Sequence, residues 1–106
     1  MIKFDKLKRK SRAHISGEMT IYNAAALKEE LMPVFGDDQR DLEIKLDGVT
    51  EIDSAGAQLL MLVKKECART NRNLSLSGHS NAVLDTFELM GLATYFGDPV
   101  VLTSSK

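Results

Sequence analysis

Four consecutive residues, Asp53-Ser54-Ala55-Gly56, carry the clearest chemical potential in the chain. They follow a strand-like run, Leu42-Glu43-Ile44-Lys45-Leu46-Asp47, and open a helix-like run through Leu59, Leu60, Leu62 and Val63. A carboxylate and a hydroxyl therefore stand at the first turn of a helix, just past a strand. The first N–H groups of a helix have no intrahelical partner and lie at the positive end of its dipole. Two readings follow. In one, Asp53 or Ser54 caps the helix by accepting from those groups. In the other, a phosphate on Ser54 sits where the same groups favour an anion, and the site is a phosphorylation switch.

Other residue types offer less. A serine hydrolase would use Ser54 as nucleophile with His14 or His79 as base. The nucleophile-elbow pattern needs glycine two residues before the serine, and Ile52 stands there. Cys67 falls inside a helix near its apolar stripe and reads as a small buried hydrophobe rather than a phosphatase nucleophile. The histidines and the single cysteine show no ligand spacing, so no metal is expected. Ser77-Gly78-His79-Ser80 could form an anion nest at a helix start. No Gly-rich phosphate loop with Lys and Ser/Thr accompanies it, and no cofactor is expected. None of these residues is expected to make the chain an enzyme.

The bulk properties agree. With 106 residues, 43% of them hydrophobic and 27% charged, the chain fits one globular domain spanning residues 1–106. A net charge of −1 gives no overall footprint for nucleic acid or membrane. One cysteine excludes an intramolecular disulfide and suits a reducing cytoplasm. The apolar run Leu59 to Val63 is too short to span a bilayer, and the residues after Met1 show no apolar signal core. A cytoplasmic protein, monomeric when free, is expected. Charge is nonetheless uneven. Residues 1–12 carry Lys3, Lys6, Lys8, Arg9, Lys10 and Arg12 against Asp5, a net +5, and the rest of the chain sums to −6. That arm is either a contact for an acidic partner or a solvated hairpin whose lysines protect a sheet edge.

These residues need elements to position them. Ile2-Lys3-Phe4 and Ala13-His14-Ile15-Ser16 alternate around the basic turn Lys8-Arg9-Lys10, which predicts an antiparallel hairpin ended by Gly17-Glu18. Ala24, Leu27, Leu31 and Val34/Phe35 recur at helical spacing, with Thr20 or Asn23 as cap and Pro33 disturbing the end. Gly36-Asp37-Asp38 reads as a loop. Leu42, Ile44 and Leu46 mark a strand with one buried face. The helix after Asp53 runs to about Thr70, with Leu59, Leu62/Val63 and Cys67 or Ala68 inward and Lys64, Lys65, Glu66 and Arg69 outward. Leu60 and Met61 flank that stripe. Either exposed beside Ser54 would give the site an apolar rim. Leu74-Ser75-Leu76-Ser77 is a further strand. Ser80 or Asn81 caps a third helix with Val83, Phe87 and Met90 on one face and Gly91 as its stop. Val100-Val101-Leu102 follows as a possible last strand. The order ββαβαβα(β) predicts an α/β fold: a mixed sheet of four to five strands with three or four helices packed against it.

Several of these pieces together resemble the STAS domain, in particular the free-standing anti-sigma factor antagonists of bacteria. They are Ile15-Ser16-Gly17-Glu18-Met19, the junction from Leu46-Asp47-Gly48-Val49 through Thr50-Glu51-Ile52-Asp53-Ser54-Ala55-Gly56, and Phe87-Glu88-Leu89-Met90-Gly91-Leu92. They run in the family's order over nearly the whole length. The resemblance implies that a partner kinase, often the anti-sigma factor itself, phosphorylates the motif serine, here Ser54, and that a serine phosphatase reverses the mark. It implies a partner-binding surface of Asp53, Ser54, Ala55 and Gly56, to which helical spacing adds Gln58 and Met61. Thr20 stands where many such antagonists carry Asp, so no role of that acid is carried over. Some STAS-like chains are instead accessory subunits of transport ATPases that dock constitutively, and on that alternative Ser54 is a contact and cap only.

Overall fold

A computed structural model describes residues 1–35 and 40–96. The hairpin forms as its alternation predicts. Strand β1 (Ile2–Lys6) lies antiparallel to β2 (Lys10–Met19), with Ile2 opposite Ile15 and Lys6 opposite Ser11. The Leu7 N–H closes the turn on the Lys10 carbonyl at 2.8 Å. Strand β3 (Asp41–Ile52) runs parallel to β2, and β4 (Leu74–Ser77) parallel to β3. The sheet is mixed, in the order β1-β2-β3-β4. The expected loop at Gly36-Asp37-Asp38 and the last strand at Val100-Val101-Leu102 lie outside the described residues.

Two strands outrun their sequence signals. The hairpin strand does not stop at Gly17-Glu18; β2 continues to Met19. Gly17 sits at φ +90, which glycine adopts without strain, and the register with β3 shifts between Gly17 and Glu18. The bulge bends the strand without ending it, so alternation is lost while pairing persists. Strand β3 likewise passes Asp47 and runs on to Ile52, delivering the chain directly to Asp53.

Helix α1 (Ala24–Leu31) buries Leu27 and Leu31, then tightens into a 3₁₀ helix, Met32–Phe35, at Pro33. Helix α2 (Ser54–Arg69) buries Gly56, Ala57, Leu59, Leu60, Val63 and Cys67. Helix α3 (Asn81–Met90) is capped by Ser80, whose hydroxyl accepts from the Val83 N–H at 3.3 Å, and stops at Gly91 in the left-handed region. Val83 and Phe87 face the core as expected, but Met90 does not: it is exposed, because the helix ends there before another element covers it. A short helix α4 (Leu92–Phe96) follows, which residue spacing alone did not reveal. Its Phe96 is buried and stacks on Phe87 at 5.2 Å between centroids.

The core lies on one face of the sheet, where Ala13, Ile15, Leu42, Ile44, Leu46 and Leu76 meet the apolar sides of the helices. On the opposite face Glu43 is buried among charges rather than wet. Its carboxylate takes Lys10 Nζ at 2.9 Å, Arg12 Nε at 2.8 Å and the Ser77 hydroxyl at 2.7 Å, tying β2, β3 and β4 together. The edge β1 carries the exposed Lys3 and Lys6, as a protected edge should.

Candidate functional site

The site is built where β3 hands over to α2. Asp53, not Ser54, is the cap. Its backbone is extended, and its Oδ1 accepts from the Ala55 N–H at 2.9 Å and the Gly56 N–H at 3.2 Å. Its second oxygen, Oδ2, accepts from the Ile21 N–H at 3.0 Å, across from α2 in the turn that enters α1. The Asp53 N–H donates to the Met19 carbonyl at 3.3 Å. Asp53 therefore fastens three features: its carboxylate ties the start of α2 to the β2–α1 turn, and its backbone N–H ties the end of β3 to the end of β2. The Ile21 N–H, joined by those of Gly56 and Ala55, holds the Asp53 carboxyl below the ordinary carboxylate range, against the opposing effect of burial.

With the cap assigned to Asp53, Ser54 becomes the first helical residue and is exposed at the positive end of the dipole. Gly56 has a steric duty. A Cβ there would lie 2.0 Å from the Met19 carbonyl oxygen, so only glycine lets α2 start this close to the end of β2. The tetrapeptide thus divides its work: Asp53 fixes the turn, Ser54 faces outward, Ala55 is half-buried and Gly56 fits against β2. From the other flank the Thr86 hydroxyl of α3 donates to the Ile52 carbonyl at 3.4 Å.

Gln58 is exposed one turn beyond Ser54, and Met61, half-buried, follows on the same side of α2. Leu60 points inward and is fully buried, so the apolar rim does not include it. The rim that exists lies toward α1, where Ala24, Ala25 and Lys28 face Ala55, Gln58 and Leu62 across a shallow groove of about 340 Å³. Residue spacing also missed Ile21 and Tyr22, which are exposed on the turn latched to Asp53. The signal was there in part. Thr20 is a turn former, and its carbonyl accepts from the Asn23 and Ala24 N–H groups at 3.0 and 2.8 Å, which leaves residues 21–23 outside the helix stripe. Asn23 occupies the cap position of α1 but makes no side-chain cap bond; the Thr20 hydroxyl donates instead to Asn23 Oδ1 at 3.0 Å. Exposed Glu18 and Glu51 face each other across β2 and β3 beside this site and make it acidic.

The histidines are engaged elsewhere. His14 Nε2 lies 3.3 Å from Asp5 Oδ2 on the hairpin, and His79 meets Phe87 edge to face at 5.6 Å. Cys67 is buried, and burial raises its thiol pKa. Among the described residues no cluster of His, Cys, Asp and Glu could hold a metal ion, and no helix is long and apolar enough to cross a membrane.

The family model described as Mlab, STAS domain, matches residues 2–103. The chain belongs to the STAS-domain family. Within it, this STAS chain is 31% identical over 78 residues to the anti-sigma-B factor antagonist of Staphylococcus aureus (strain NCTC 8325 / PS 47), covering 74% of this chain and 72% of that one. The Staphylococcus epidermidis protein of the same name is 28% identical over the same span. The fold is shared with the anti-sigma factor antagonist SpoIIAA in its unphosphorylated form, at a TM-score of 0.75 and 15% identity over 92% of this chain and 87% of that one. An anti-sigma factor antagonist from Mycobacterium paratuberculosis superposes at a TM-score of 0.81 and 21% identity, over 96% of this chain and 86% of that one.

Proposed function

We propose that this STAS chain, one domain over residues 1–106, is a phosphorylation-switched regulator: an anti-sigma factor antagonist that binds proteins and catalyses nothing itself. Its unphosphorylated surface at Asp53, Ser54, Ala55, Gly56, Gln58 and Met61 holds an anti-sigma factor with serine kinase activity, in the cytoplasm. The observation that carries this reading is the division of labour at the start of α2. Asp53 already performs the capping, so the exposed Ser54 hydroxyl can change without undoing the helix. The names of the curated relatives support the same reading.

The switch follows from charge. The kinase transfers the γ-phosphoryl of ATP to Ser54 Oγ; ADP leaves and the hydroxyl proton is lost. The product carries roughly −1.5 to −2 charge at neutral pH. The helix start tolerates an anion, so the fold survives. The partner does not, because the phosphate adds bulk at the point where Ser54 is covered and a hydrated charge that must shed its water to be buried there. A serine phosphatase restores binding.

The test is phosphorylation by the cognate kinase with ATP. Wild type is labelled and Ser54→Ala is not. Equal labelling of the variant would move the site, with exposed Thr50 the next hydroxyl; Ser80 is occupied in capping α3. Gln58→Arg, an exposed change, weakens binding of the kinase by more than about 1 kcal/mol without lowering Tm. Stable co-purification with a transport ATPase subunit, with Ser54 unmodified in cells, would instead fit constitutive docking.

A further inference from the structure

We propose that the Ile21–Tyr22 pair is the anchor by which the partner grips this protein, and that it fits a protein surface with an apolar pocket rimmed by cations. The inference rests on the switch reading above and names where its binding strength resides. Ile21 is 69% exposed and Tyr22 is 92% exposed. Two adjacent large side chains this open leave apolar area available for a partner to bury, and tyrosine is among the residues that most often dominate binding interfaces.

The pair is presented on a rigid turn. The Thr20 carbonyl accepts from Asn23 and Ala24, the Thr20 hydroxyl accepts from the Tyr22 N–H at 3.4 Å, and Asp53 Oδ2 accepts from the Ile21 N–H. A fixed turn loses little entropy when its side chains enter a pocket, so burial converts into affinity with small loss. The Ile21–Asp53 bond also sets the pair in register with Ser54, one residue along the chain from the latch. Asp53 is therefore a positioning residue for the anchor. Charge identifies the partner's rim. Asp53 and the facing pair Glu18 and Glu51 surround the turn, and a carboxylate-bearing partner would meet three like charges. A cationic rim around an apolar pocket complements both features, and such a rim is also where a phosphate on Ser54 would first draw a lysine or arginine out of its place.

The experiment uses the full chain and the purified anti-sigma factor kinase from the same genome, with affinities read calorimetrically. Tyr22→Ala weakens binding by about tenfold or more, and Tyr22→Phe restores most of it, because the ring and not the hydroxyl fills the pocket. Asp53→Asn weakens binding and speeds hydrogen exchange at the Ile21 amide, whereas Tyr22→Ala leaves that exchange unchanged. Tm identifies any variant that has lost its fold, and Ile21→Ala serves as the second anchor variant. If Ser54→Asp abolishes binding while Tyr22→Ala and Ile21→Ala bind like wild type, the anchor is overturned and the switch stands. If the unphosphorylated wild type binds no such kinase, the switch reading falls and the anchor falls with it.

Discussion

Gly56 shows how a single residue can be legible as a motif yet opaque in purpose. In the sequence it completes Asp-Ser-Ala-Gly; in the structure it is the point where α2 touches the end of β2, with no room for a Cβ beside the Met19 carbonyl. Two effects oppose each other in Gly56→Ala. Alanine favours an exposed helix by about 1 kcal/mol over glycine. A Cβ 2.0 Å from a backbone oxygen cannot be relieved by a rotamer, so helix or strand must move, at about 3 kcal/mol or more. The clash wins, and Tm falls on the order of 10 °C in thermal melting. An unchanged or raised Tm would show that α2 shifts freely, and the site would lose its claim to a fixed geometry. The choice between Asp53 and Ser54 as cap was equally closed to sequence. Both residue types cap well, and only the backbone path, extended at Asp53 and helical from Ser54, decides it.

Among the elements, the sheet is held from its open face by Glu43. Alternation placed this residue on a wet face, because periodicity sees only which side a residue points to. It does not see that Lys10, Arg12 and Ser77 close over it. Burial raises the carboxyl pKa, but Ser77, Lys10 and Arg12 together lower it from 4.5 to about 2. A folded-state pKa below the unfolded one adds stability above the unfolded value, and that stability is lost as pH falls through the folded value. The contribution is on the order of 3 kcal/mol at neutral pH and fades between about pH 4.5 and 2. Denaturant titrations should show Glu43→Gln less stable than wild type at pH 7, with the gap closing by pH 2. A gap that stays constant would mean the loss is one of packing. β4 and the inner positions Leu27 and Leu31 of α1 were readable as written, whereas in α2 the flanking Leu60 proved fully buried and Leu62 only half-buried. The continuation of β2 past the bend at Gly17 and the five-residue helix α4 gave too little period to read, and in α3 only the exposure of Met90 departed from the stripe.

For the molecule as a whole, β2 joins two electrically opposite ends. It begins beside the turn that carries exposed Lys6, Lys8 and Arg9 and finishes at Met19, against the latch at Asp53. Its ten residues span roughly 30 Å at about 3.3 Å each. Lys10 and Arg12, which the sequence counted with the basic arm, are spent on Glu43. The remaining cations at the turn stand about four Debye lengths from Ser54 at physiological salt, so their field is screened at the Ser54 surface. They add little to the field that a partner meets at the Ser54 surface. Replacing Lys6, Lys8 and Arg9 together with Ala should therefore leave the dissociation rate unchanged and alter association by less than about threefold. The double change Glu18→Gln and Glu51→Gln should act differently, because those acids border the site. It should slow association with the kinase and flatten its dependence on salt, since a cationic rim is steered by them. Stopped-flow binding across a salt series reads both effects. A hairpin variant that no longer binds, beside a glutamine variant that binds normally, would place the docking face at the basic end, where a phosphate on Ser54 could not reach it.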